Sequence, residues 1–162
     1  MAEPVVKIDA KGKVKKIQVV SFLVNEMNYA IDIDRIHEII YFKKATPLPQ
    51  APSFIEGVLD LRGTVVPIID LKKKMGMTSD ITTPSSHILI VKLHNNILGV
   101  IVDEVKEVLH LDMNQVQAPQ KIHKGSGSRY LTGVCKVGER LVFLLDLDAL
   151  LTGDEQTSLG EM

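Results

Sequence analysis

Apolar residues along this chain fall into short runs separated by turn chemistry. The runs are Ile17–Val24, Val65–Ile69, Ile88–Leu93, Ile97–Val102 and Leu141–Leu145. The breaks Asn25-Glu26-Met27-Asn28, Arg62-Gly63, His94-Asn95-Asn96 and Gly138-Glu139 have the length and residue types of hairpin turns. No long 3.6-residue periodicity runs through the sequence, so the pattern predicts a mainly β chain with a few short helical turns. The residue types agree: eighteen Val and sixteen Ile stand beside seven aromatics. β-Branched side chains pack well on a pleated sheet and lose rotamer freedom in a helix.

The pattern repeats. Val19–Phe42 aligns without gaps on Ile88–Leu111 at an offset of 69, and Gly57–Leu71 aligns on Gly133–Leu147 at an offset of 76. Both blocks occur in the same order in each half, which predicts two copies of one small β unit, about residues 17–80 and 86–151. A handful of short strands with open edges is an aggregation hazard, so each copy is expected to curl into a small barrel. Units of ~65 residues bury too little surface alone, which predicts a shared hydrophobic interface. Residues 1–16 carry five of the lysines and read as a flexible arm, Thr78–Ser86 as the link between copies, and 152–162 as a flexible tail.

Composition narrows the function class. The 162 residues are 45% hydrophobic and 24% charged, a globular balance rather than a disordered one. A net charge of −1 gives no electrostatic reason to expect nucleic acid or an anionic membrane. The longest apolar run, Ile97–Val102, is far short of the roughly 20 residues that span a bilayer. With no apolar leader at the N-terminus, a cytosolic protein is expected. Cys135 is the single cysteine, which excludes a disulfide framework and a cysteine-based zinc site. His37, His87, His94, His110 and His123 lack metal-ligand spacing, and no phosphate loop or nucleophile motif occurs. Gly125–Ser128 reads as a loop and Cys135 as a small buried hydrophobe. The expectation is no catalytic residue, no metal, no cofactor and no small-molecule ligand.

The repeat separates architecture from specialised work. Asp34/Asp103 and Glu38/Glu107 recur in both halves, which favours a helical-turn cap for the Asp and a nearby cation for the Glu. Asp70 and Asp146 recur as N-caps of short helices starting at Leu71 and Leu147. The Arg62-Gly63 turn has no aligned counterpart, and a partly buried Arg62 needs a carboxylate, for which Glu38 is the choice. The connection Lys43–Phe54 contains three prolines and is stiff. It either presents Leu48, Phe54 and Ile55 to a partner or uses them to plug the barrel end.

Several long motifs then carry a resemblance. They are Ile31–Ile39, Pro52–Leu71 with its Leu-Arg-Gly turn, Gly99–Leu109 and Tyr130–Val134. Together these resemble the CheW family of bacterial chemotaxis coupling proteins over about residues 17–151. One departure is Asp60, where the family usually has Asn; both residues suit a turn. The resemblance implies an all-β fold of two SH3-like five-stranded β-barrels packed together. It also implies a cytoplasmic, non-enzymatic adaptor that joins chemoreceptor cytoplasmic tips to the regulatory domain of the histidine kinase CheA in membrane-associated arrays. Matching receptor-binding positions are Val20, Ile33, Ile36, Ile39 and Val102, of which Ile33, Ile36 and Ile39 are expected on one side of a helical turn. Core packing is the alternative for each. Glu38 and Arg62 match a salt bridge bracing that groove, and Leu48, Phe54 and Ile55 are the kinase-side candidates. A freestanding kinase regulatory domain, or a coupling protein fused to a receiver, would share these motifs but calls for a longer chain. A ligand-binding or enzymatic barrel would need a deep polar pocket.

Overall fold

The computed structural model describes residues 16–77, 85–93, 95–118, 130–151 and 155. The expected arm up to residue 15, most of the link and tail, and Gly125–Ser128 lie outside them. Lys16, placed in the arm by the sequence, already pairs with Asp112 as the first residue of a strand.

Eleven strands follow in chain order: β1 (Lys16–Val24), β2 (Met27–Asp32), β3 (Ile36–Tyr41), β4 (Gly57–Leu61), β5 (Thr64–Asp70), β6 (His87–Lys92), β7 (Ile97–Val102), β8 (Glu104–Asp112), β9 (Val116–Gln117), β10 (Leu131–Val137) and β11 (Arg140–Leu145). Two one-turn helices, α1 (Leu71–Lys74) and α2 (Leu147–Leu150), follow β5 and β11. As expected, Asp70 and Asp146 cap them: Asp70 Oδ1 accepts from Lys72 N at 2.9 Å and Asp146 Oδ1 from Asp148 N at 3.0 Å.

One sheet runs in the order β8-β1-β2-β11-β10-β9 and the other β3-β6-β7-β5-β4. Each curls until its ends meet. Thr46, beyond β3, exchanges both backbone hydrogen bonds with Val58 of β4 at 2.9 Å, and β9, beyond β8, pairs with β10. Glycine recurs where the closing segment crosses. A Cβ on Gly57 would stand 2.5 Å from the Thr46 carbonyl oxygen, and one on the equivalent Gly133 2.4 Å from Val116 Cγ1.

The division into 17–80 and 86–151 does not match this pairing. Each barrel combines the first hairpin of one copy with the later strands of the other: β1–β2 with β8–β11, and β6–β7 with β3–β5. The physical reason lies in two connections. Only Ile33–Arg35, a single 3-10 turn, separates β2 from β3, and only Asp103 separates β7 from β8. Neither contains Gly, Pro or Asn, so the chain does not fold back but runs on into the neighbouring barrel.

This interleaving explains the unbroken apolar runs. On β7, Leu98, Val100 and Val102 face a core shared by both barrels while Ile97 and Ile101 face their own barrel; on β6, Leu89 and Val91 oppose Ile88 and Ile90 likewise. The other barrel does the same, with Phe22, Tyr29 and Ile31 in the shared core and Val19, Ala30 and Val142 inside. Strands buried on both faces lose the polar alternation of a half-exposed sheet.

Candidate interaction site

The candidate residues converge on β3, the edge strand of its sheet. Exposure alternates along it: His37, Ile39 and Tyr41 face solvent, and Ile36, Glu38 and Ile40 are half-buried. A bulge between Ile36 and Glu38 shifts the register against β6. Across the barrel seam, the β4–β5 hairpin turns through Arg62 and Gly63 with φ of 52° and 89°. Positive φ at both central residues marks the tight hairpin turn whose twist suits its strands. Asp60 Oδ1 steadies it by accepting from Gly63 N at 2.8 Å.

This turn aims Arg62 at β3. Its Nη2 lies 2.6 Å from Glu38 Oε1, with Nη1 3.4 Å from Oε2, a forked pair. The Arg62 hydrogen bond holds the Glu38 carboxyl below its ordinary range, and the pairing raises Arg62 in return. The Arg62 side chain is 74% exposed, so the pair is a surface feature and not the buried one that the partner argument assumed. Beneath it lies a cleft of about 240 Å³ floored by Leu61, Val66, Ile90 and Ile97.

The other candidates divide by burial. Val20 (3% exposed) and Val102 (1%) are interior residues. Ile33 and Ile36 are half-buried, and Ile36 packs on the shared core between the barrels. Ile39 is open to solvent, with Tyr41 beside it at 76% exposure. The expected helical stripe is absent: the 3-10 turn ends at Arg35, so Ile36 and Ile39 sit on a strand with opposite burial. Of the connection residues, Leu48 is exposed, Phe54 is half-buried with Lys74 Nζ 5.5 Å from its ring centre, and Ile55 belongs to the shared core.

Some partners were not read from the sequence. The Arg62–Glu38 pair has a counterpart, Arg140 Nη2 to Glu107 Oε1 at 2.8 Å, in the other barrel. Glu107 aligned with Glu38, but Arg140 stands two positions beyond the residue aligned with Arg62; a search across the hairpin would have found it. Asp34 caps nothing in the 3-10 turn, where Asp32 Oδ1 accepts from Asp34 N at 2.9 Å. Asp103 instead ties two elements together, accepting from Asn25 N at 2.8 Å and pairing with Lys72 Nζ at 2.7 Å. Glu155, expected in the loose tail, pairs with Lys74. Cys135 is buried, and burial pushes its thiol upward, away from the reactive thiolate. Among the described residues no cluster of His, Cys, Asp or Glu could hold a metal, and no helix is long and apolar enough to cross a membrane.

Two interlocked small barrels with an exposed ion pair on one edge strand define an all-β two-barrel module. Residues 18–155 match the family model of the CheW-like domain, and the chain belongs to that family. It is 33% identical over 138 residues to the chemotaxis protein CheW of Thermotoga maritima, covering 85% of this chain and 89% of the relative. Against CheW of Klebsiella aerogenes it is 32% identical over 134 residues, covering 83% and 81%. The solved scaffolding protein TtCheW of Thermoanaerobacter tengcongensis superposes with a TM-score of 0.79 at 31% identity, over 87% of this chain and 97% of that one. This is a chemotaxis scaffold family with the two-barrel, mainly β fold.

Proposed function

We propose that this protein is a non-enzymatic adaptor coupling chemoreceptor cytoplasmic tips to the regulatory domain of the histidine kinase CheA, in the cytoplasm at membrane-associated arrays. The observation that carries the reading is the β3 edge. Ile39 is exposed and Ile36 half-buried on this strand, Ile33 is half-buried in the turn before it, and from the same strand Glu38 holds a solvent-facing Arg62. An apolar edge flanked by a positioned charge suits a partner helix with a few anchor side chains. In this reading Val20 and Val102 support the surface from within rather than touch the receptor. On the kinase side, Leu48 offers the exposed contact, with Phe54 and Ile55 fixing its loop. Modest contacts repeated across an array act through avidity.

Co-sedimentation with receptor cytoplasmic fragments and CheA, read out by kinase autophosphorylation, tests this. The protein is expected to pellet with both and to raise kinase activity. Ile39→Asp, at an exposed position, is expected to keep the wild-type unfolding midpoint while losing most of the receptor-dependent pelleting. Binding to neither partner, or an Ile39→Asp variant with undiminished pelleting, counts against the assignment.

A further inference from the structure

The two barrels differ in the residues that fill them. At positions equivalent in the repeat, the β3–β7 barrel holds Ile88, Ile90, Leu59 and Ile101 where the other holds Val19, Ser21, Cys135 and Asp32. These four exchanges remove apolar volume, while Ala30 in place of Gly99 and Ile17 in place of Ser86 return some. Volume taken from a packed interior leaves space unless the surroundings collapse. A cleft of about 300 Å³ opens at the end where β1 begins. Val19, Ala30 and Leu144 line its apolar part; Asp32, Asp146 and Asp148 stand at its rim, where Asp148 pairs with Arg35, the one cation among the described lining residues.

We propose that the chain's own N-terminal segment, residues 1–15, seats in this cleft. The segment ends at its mouth, since Lys16 opens β1 and Ile17 lines the cleft. Its composition is complementary: Val5, Val6, Ile8 and Val14 suit the floor, and Lys7, Lys11, Lys13 and Lys15 outnumber Glu3 and Asp9 before an acidic rim. Fifteen residues reach about 50 Å when extended, ample to double back across a barrel end. Tethering makes the contact intramolecular, so weak individual contacts suffice. The cleft at the open end of the opposite barrel, about 240 Å³ beside Arg62 and Glu38, lies away from the point where the segment joins β1 and serves as the control. The inference does not rest on the coupling role.

The test uses the full chain with a nitroxide label on Ala2→Cys; Cys135 is buried and does not compete for the label. Methyl spectra are compared with the label oxidised and reduced. Val19, Ala30 and Leu144 are expected to lose severalfold in intensity while Leu61, Val66 and Ile97, at the open end of the other barrel, keep theirs. Charge reversal at Lys7, Lys11, Lys13 and Lys15 is expected to restore the cleft signals without altering the amide spectrum. Broadening spread evenly over both barrel ends, or absent from the cleft, overturns the proposal. So does a cleft that is broadened instead by a label on Ser126→Cys, which would assign it to residues 119–129.

Discussion

At the scale of single residues, the site rests on a charge pair whose value is positional. Exposed ion pairs add little to stability because water screens them and the side chains lose freedom. What the pair does is hold a flexible guanidinium at one place on β3, at Glu38. Arg62→Ala is therefore expected to leave the thermal midpoint nearly unchanged but to weaken receptor coupling. It should also shift the Glu38 titration, followed by carboxyl-carbon NMR, upward toward the ordinary value of 4.5. The sign follows from linkage. The Glu38 value is depressed in the folded state, so the contribution of the pair is present above the unfolded value and is lost as pH falls through the folded one. Neutral pH leaves the pair intact. That Arg62 and Glu38 meet was legible in the sequence from charge and repetition. That the pair is exposed was not, because burial depends on what the barrel seam leaves uncovered.

At the scale of elements, strands and hairpins followed from local chemistry. The Arg62-Gly63 and Asn25-Glu26 turns carry the positive φ that a two-residue hairpin demands. The helical stripe over Ile33, Ile36 and Ile39 failed for a related reason. Spacing by three fits a helix, but beyond the 3-10 turn that holds Ile33, β-branched Ile36 and Ile39 are drawn into pairing with β6, and tertiary pairing overrides a one-turn pattern. The recurring glycines acquire a cause only from closure. Gly57→Ala would drive a methyl group against a backbone carbonyl at 2.5 Å, while Gly99→Ala meets the end of Ile68 at 2.3 Å. Urea unfolding is expected to show a loss of about 1–3 kcal/mol for Gly99→Ala and a larger one for Gly57→Ala. A side-chain terminus can rotate away; the closing strand cannot.

At the scale of the whole molecule, interleaving makes the two copies interdependent. Residues 16–77 contain β1–β2 without the strands they pair with in the β8–β11 barrel, and β3–β5 without β6–β7. Expressed separately, fragments divided in the 78–84 link are expected to show no cooperative unfolding by circular dichroism, whereas the intact chain unfolds in one transition. A fragment that melts cooperatively alone would show that each copy closes on itself.

The sequence by itself determined the strand content, the hairpin turns, the helix caps and the internal duplication, because each follows from backbone preferences within a few residues. Its motifs also carried the family. Which copy each hairpin joins, which of Val20, Ile36, Ile39 and Val102 remain accessible, and where a barrel stays open were decided only in three dimensions. Equivalent strands have equivalent patterns, so periodicity cannot choose between partners. That choice belongs to two short connections that carry the chain from one barrel into the next, and the packing that follows decides which apolar side chains are left at the surface.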